Sequence, residues 1–365
     1  MSSNIRRLLG RLLPSGRPHG AVLLVVDDAG WILDEVAQHL IAHAPAVLGC
    51  RAVTHEWMGA RHCILHFINR VWAWTDSVLD GVHPSNDLIG VWWHGRLDSE
   101  DRAMQAAHDR VRRLHGRFRR FQVTCSIARE TLLGLGVPAA KIVMLPIGVD
   151  LKTFHPPASA DIRLAARRTL GVDAATVLVG CFQKDGSGWD EDAEPKLIKG
   201  PDIFAEAMIQ LRATHQVHVV IPGPARGYLK RRLRDAGVPF SAPGFVSREE
   251  LPGFYHALDL YVSPSRDEGG PAGVLEAMAS GVPVVSTRAG MPADMITTGV
   301  NGLIVDVGNP AALASGASAL VNHPVLRASM SQAALAGIQA YDWPTVARRY
   351  VTELYEPLRT RPQAR

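Results

Sequence analysis

Cysteine is scarce: the 365 residues hold four, Cys50, Cys63, Cys125 and Cys181, with no CxxC pair and no metal-ligand spacing among them. Such scatter excludes a disulfide framework and fits reduced thiols in a cytoplasmic protein. No HExxH motif occurs among the fifteen histidines, so no protein-held metal is expected. No GxGxxG opens a strand-to-helix turn and no GxxxxGK[ST] occurs, which disfavours a dehydrogenase and excludes a P-loop enzyme. Apolar runs never approach ~18 residues, so no bilayer-spanning helix is expected. Repeats and low-complexity tracts are absent. Aromatic residues amount to 6%, and no aromatic platform or reading motif accompanies the positive charge, so nucleic acid is not an expected partner.

What is present is ordinary material for a globular enzyme, with 47% hydrophobic and 20% charged residues and a net charge of +4. The length predicts two domains rather than one core. Short apolar runs alternate with amphipathic ones. "AVLLVV", "CILHFI", "LIGVWW" and "FQVTCS" read as buried strands of a first domain, and "WILDEVAQHLIAHA" and "EDRAMQAAHDRVRRLHGRF" as its helices. The rhythm restarts with "TVLVGCF", "VHVVIPG", "LDLYVSPS" and "VPVVST", interleaved with "GPDIFAEAMIQLRATH" and "GVLEAMASG". Continuous apolar strands followed by helices indicate parallel sheets covered on both faces. The expectation is an α/β chain of two Rossmann-like domains facing across a cleft. They comprise residues 1–155 on the acceptor side and 156–340 on the donor side, with a terminal helix over 341–365 crossing back to the first. In open α/β sheets ligands bind beyond the carboxyl ends of the strands.

The most informative stretch is "YVSPSRDEGGPAGVLEAMASGVPVVST". A strand ends near Ser263, a glycine-rich loop follows, and a helix begins near Ala272. Gly269, Gly270 and Gly273 let backbone N–H groups approach a ligand, and the helix N-terminus adds donors and partial positive charge, a physical site for a diphosphate. Glu268 and Glu276 flank it. Carboxylates beside a phosphate repel it unless they face hydroxyls, and the hydroxyls of a sugar or ribose suit them.

This string resembles the E-x7-E signature of the family-four (group 1) retaining glycosyltransferases of GT-B fold. "PIGVDLKTFHP", "FVSREELPGFYHALDLYVSPS" and "TTGVNGLIVDVGNPAALASGASALV" are similar to the segments around that signature. The resemblance implies transfer of a hexose-type sugar from a nucleotide diphosphate sugar to a glycan, lipid or small-molecule acceptor, with retention. It also implies polysaccharide or glycoconjugate biosynthesis and no metal or other cofactor. Glu268, Gly269, Gly270 and Pro271, with Ala272 and Gly273, inherit the contacts to the transferred sugar and diphosphate. Glu276 inherits the ribose, and Phe245 and Val246 the nucleobase. Lys199 matches the lysine of the family's "GR…KG" motif. The arginine half is departed from, with Lys184 in its place and an acidic, glycine-containing insertion between the two; a lysine offers a point charge instead of a fork. His94, at a strand end, inherits the place beside the donor sugar, where an imidazole or carbonyl supports charge at the anomeric carbon. Asp28, Gly30, Trp31, His66 and Asn69 are acceptor-side candidates.

Two basic features stand apart. "NIRRLLGRLLP" puts Ile5, Leu8, Leu9 and Leu12 on one helical face beside Arg6, Arg7 and Arg11, a pattern suited to peripheral contact with an anionic membrane or to a frayed tail. It is too short and too broken by arginine for a secretory signal. "DRVRRLHGRFRRF" reads as a solvated helix or as a site for anionic lipid or a phosphorylated acceptor. A nucleotide-sugar epimerase or phosphorylase on the same fold, or a non-catalytic sugar-nucleotide binder, is the alternative, because fold does not fix chemistry.

Overall fold

The computed structural model describes residues 20–26, 32–44, 51–53, 60–68, 75–190 and 194–359. It divides into two compact units, Met1–Gly148 with Trp343–Arg365, and Val149–Asp342.

Unit 1 carries strands β1 (Val22–Val26), β2 (Arg51–Val53), β3 (Ile64–Ile68), β4 (Asp87–Trp92), β5 (Arg120–Val123) and β6 (Ile142–Met144). They lie in the order β2-β1-β3-β4-β5-β6, every pairing parallel. Each residue of β1 and β3 is buried, as continuous apolar runs require in a sheet covered on both faces. The helix Ile32–His43 buries Leu33, Val36, Ala37 and Leu40, the one-sided stripe of an amphipathic helix. Helix Arg102–Leu114 buries Ala107, His108, Val111 and Leu114, and Asp101 caps it by accepting from the Met104 N–H at 2.8 Å. The chain's last described segment runs through helix Trp343–Arg349, a π-helical turn Tyr350–Tyr355 and helix Glu356–Arg359. Trp343 stacks on His39 with ring centroids 4.7 Å apart, and Tyr350 and Tyr355 are fully buried.

Unit 2 repeats the plan with β7 (Val177–Gly180), β8 (Val217–Val220), β9 (Phe240–Ser241), β10 (Leu260–Ser263), β11 (Val284–Thr287) and β12 (Leu303–Val305). The order is β12-β11-β10-β7-β8-β9, again all parallel. Phe204, Met208 and Leu211 of helix Pro201–Arg212 pack with Val179, Val219, Val262 and Val285 of the strands and Leu313 of helix Pro310–Asn322 into one core. From β7 the chain moves outward through β8 to β9, then returns to place β10 on the other side of β7. Adjacent strands β7 and β10 therefore lead their helices in opposite directions, and the gap beyond their carboxyl ends is where this architecture binds ligands. In unit 1 the corresponding reversal lies between β1 and β3. The loops that follow those strands, 27–31 and 69–74, fall outside the described residues.

Candidate functional site

Two loops meet beyond the ends of β7 and β10. The β10 loop is fixed by backbone contacts that only glycine allows. Gly200, at φ +67°, sits so close that a Cβ there would lie 2.1 Å from the Pro264 carbonyl oxygen. Gly290, at φ +64°, would place a Cβ 2.5 Å from the Glu268 carbonyl oxygen and 2.7 Å from that of Gly269. Around these approaches the Arg266 N–H donates to the Ile198 carbonyl at 2.8 Å, and Met291 N–H to Gly269 at 2.9 Å. Arg266 grips Asp202 through two nitrogens at 2.7 and 2.6 Å. The loop is thus clamped from both sides, and Lys199 is carried to it by the turn Leu197–Lys199 that Gly200 ends.

The clamp assembles a polar cluster. Glu268 is 8% exposed, and its Oε2 accepts from Lys199 Nζ, from Gln183 Nε2 at 3.2 Å and from Ser265 Oγ at 3.4 Å. Gln183 Nε2 also donates to Ser265 Oγ at 2.8 Å. A carboxylate, an ammonium and an amide therefore converge just before helix Ala272–Ala279, whose N-cap is Pro271 and whose first turn receives no side-chain cap. Such a helix start presents N–H groups and partial positive charge, complementary to an anion. Gly273 serves packing: a Cβ there would fall 2.1 Å from the Tyr261 hydroxyl. The absent side chain makes room for a buried tyrosine beneath the helix.

Glu276, 6% exposed, is held on the same helix. Its Oε2 accepts from the Tyr255 hydroxyl at 2.8 Å, and Arg248 Nη1 lies 3.5 Å from its Oε1. Burial, reinforced by the neighbouring Glu276 charge, drives the Tyr255 hydroxyl well above its usual range, so it stays a proton donor. Arg248 in turn lies over the Phe154 ring at 5.1 Å. Phe245, beyond β9, is 82% exposed, and Val246 beside it is half-buried. A bare aromatic face of this kind suits stacking of a planar ring. Lys184 is half-buried and lies over the Trp189 ring, its Nζ 3.7 Å from the centroid.

Of the residues singled out in the sequence, Lys199 and Glu268 meet directly, with Gly269 to Gly273 continuing from them and Glu276 on the helix they open. Gln183, Ser265, Tyr255 and Arg248 were missed. All four act through contacts between distant segments, and no spacing in the sequence marks them. His94, after the end of β4, is half-buried. His66 is a correction: it is fully buried, its Nδ1 bonds the Tyr355 hydroxyl at 2.9 Å, and desolvation lowers its pKa from 6.5 to about 3. A ring sealed in the core of unit 1 has no face for an acceptor. Asp28, Gly30, Trp31, Asn69 and the basic segment at residues 4–14 lie outside the described residues. The basic run over 109–121 is engaged by local acids: Arg112 with Asp109, Arg113 with Asp76, Arg117 with Asp80 and Arg119 with Asp87. Among the described residues no group of three His, Cys, Asp or Glu side chains is arranged to hold a metal, and no helix is long and apolar enough to cross a membrane.

The family model described as glycosyl transferases group 1 matches residues 194–336, the span that contains Lys199, Ser265, Glu268 and Glu276. A lipopolysaccharide core biosynthesis mannosyltransferase of Rhizobium meliloti is 30% identical over 250 residues, 66% of this chain and 67% of that protein. A D-inositol 3-phosphate glycosyltransferase of Xylanimonas cellulosilytica is 30% identical over 241 residues, 62% of this chain and 54% of its own length. The chain thus spans between half and two thirds of these relatives. The crystal structure of Anabaena HepE in complex with UDP superimposes with a TM-score of 0.72 at 17% identity, covering 92% of this chain and 99% of that one. That likeness establishes the GT-B architecture, two parallel sheets with alternating helices.

Proposed function

The chain belongs to the glycosyl transferases group 1 family, and from that premise we propose that it transfers a sugar from a nucleotide diphosphate sugar to a glycan, lipid or small-molecule acceptor, with retention of anomeric configuration. The observation that carries the reading is the Lys199–Gln183–Ser265–Glu268 cluster at the β7/β10 reversal, immediately before an uncapped helix start.

Each group has a task suited to its chemistry. Lys199, Lys184 and the N–H groups of Gly269, Gly270, Ala272 and Gly273 stabilise the diphosphate as negative charge builds on it, with no resident metal. Glu268 exchanges Lys199 and Ser265 for sugar hydroxyls, and Gln183 keeps its Oε2 aligned while it does so. Glu276, fixed by Tyr255 and Arg248, takes the ribose hydroxyls, and Phe245 and Val246 the base. His94 contacts the transferred sugar. A phosphate oxygen of the leaving group accepts the acceptor's proton, so no side-chain nucleophile of the kind found in retaining hydrolases is required. The similarity to a mannosyltransferase and an inositol phosphate glycosyltransferase favours transfer over the epimerase, phosphorylase and non-catalytic alternatives. Peripheral membrane contact through Arg6, Arg7 and Arg11 is the companion proposal for acceptors carried on lipid.

The test is turnover. The chain is incubated with UDP-, GDP-, ADP- and dTDP-sugars and a panel of glycan and inositol phosphate acceptors. Nucleotide release is followed together with the anomeric proton coupling of the product. At least one donor is expected to give an axial product from an axial donor, and Glu268→Gln to lower kcat by about a hundredfold or more. An inverted product, or full activity in Glu268→Gln, rejects the reading.

A further inference from the structure

Between Gln183 and Lys199 the chain makes an excursion that the donor cluster leaves unexplained. Its root is immobilised. Asp185 is 2% exposed and pairs with Arg226, which is fully buried, at 3.1 Å. Arg226 also donates to the carbonyls of Pro222 at 2.9 and 2.6 Å and of Cys181 at 3.3 Å, and Asp185 Oδ2 accepts from the Leu229 N–H at 3.2 Å. Above that root the two limbs of the excursion pair like a hairpin: Lys196 N–H donates to the Asp185 carbonyl at 2.6 Å, Gly186 bridges Pro195, and Ser187 N–H donates to Glu194 at 2.8 Å. Trp189 projects from this pinned loop at 62% exposure, and the Lys184 ammonium rests 3.7 Å from its ring centroid.

An exposed indole on an anchored loop is an unusual use of an apolar side chain, and the ammonium over its face explains it. The electron-rich ring attracts the cation while leaving its outer side open to solvent. Lys184 directly follows Gln183, whose amide reaches Glu268, so its backbone adjoins the cluster proposed to receive a diphosphate.

We propose that Trp189 is a positioning residue for the donor: it holds the Lys184 ammonium at the mouth of the diphosphate site, restoring by a cation–π contact the directionality that a lysine lacks where the family carries an arginine. This inference rests on the donor-site reading given above. A free lysine carries a compact charge on a flexible stem, whereas one docked on a rigid ring has part of its ordering already accomplished.

The experiment is a double-mutant cycle on the full chain, with UDP, GDP and ADP as calorimetric probes and melting temperatures recorded alongside. Trp189→Leu keeps an apolar side chain and removes the ring, and roughly two- to fivefold weaker binding is expected, the fold-change of an exposed cation–π contact. Trp189→Phe retains a ring face and is expected to stay near wild-type affinity. Lys184→Met is expected to weaken binding about tenfold, as loss of a charge-assisted contact does. The deciding arm is Trp189→Leu in the Lys184→Met background, where no further loss is expected, because the indole acts only through the lysine. Equal losses in both backgrounds, or a loss in Trp189→Phe matching that in Trp189→Leu, overturn the proposal. A wild-type chain that binds none of the three nucleotides overturns the donor-site reading, and this inference with it.

Discussion

Arg226→Met makes a sharp test of the packing beneath the site. Asp185 and Arg226 are 2% and 0% exposed, so removing the guanidinium strands a carboxylate in the core and takes away the donors to Pro222 and Cys181. Breaking a buried pair on one side costs about 3–5 kcal/mol, which for a domain of roughly 150–250 residues lowers the melting temperature by roughly 10 °C. The pH dependence follows from Asp185 itself. Burial raises its pKa above the ordinary 3.8, against the opposing pull of Arg226. A carboxyl whose folded pKa is raised favours folding most when protonated. That contribution is fully present below the ordinary value and is lost as pH rises through the raised one. Without Arg226 the pKa climbs further, so the deficit of Arg226→Met relative to wild type should shrink between pH 7 and pH 5. Urea denaturation at the two pH values measures this, with R226M/D185N expected to recover most of the loss by removing the stranded charge. Equal stability of wild type and Arg226→Met at pH 7, or a deficit that grows on acidification, would refute the reasoning.

Three further outcomes are expected. Gly290→Ala forces a Cβ to within 2.5 Å of the Glu268 carbonyl at a positive φ, so it should cost about 1–3 kcal/mol of stability. It should also lower turnover by roughly tenfold or more through displacement of the loop, which paired unfolding and kinetic measurements would show. Tyr255→Phe deprives buried Glu276 of its 2.8 Å donor; a stability loss of about 1–3 kcal/mol and weaker nucleotide binding should appear together in thermal-shift titrations. His66 cannot take up a proton until about pH 3, whereas the unfolded chain does so near 6.5. Stability present above pH 6.5 is therefore lost as pH falls, by about 2 kcal/mol at pH 5, and a His66→Gln variant should show a flatter dependence over that range.

The sequence made the central strands readable because buried parallel strands are predominantly apolar. "VLLVV", "ILHFI" and "VVST" announce β1, β3 and β11 without tertiary information. The edges did not announce themselves. β6 is half-exposed, and β9 and β12 are two and three residues long, so each carries too little pattern to distinguish from loop. The two glutamates and Lys199 were legible because a glycine-rich loop followed by a helix start imposes a local arrangement. Gln183, Ser265, Tyr255 and Arg248 were not, since their roles exist only once β7, β10 and the segment after β9 lie side by side. His66 misled for the complementary reason: the strand was legible, while its place in the middle of β3 and the tyrosines that seal it, from residues 350–355, were not.

Calorimetric titration of the full chain with nucleoside diphosphates, wild type against Lys199→Met, reaches the central claim most directly. Binding of at least one of UDP, GDP and ADP is expected, weakened roughly ten- to a hundredfold by loss of the ammonium, the effect of one charged hydrogen bond. Affinity that is the same in both proteins would contradict the account, because the cluster before residue 272 would then not be where the diphosphate is held.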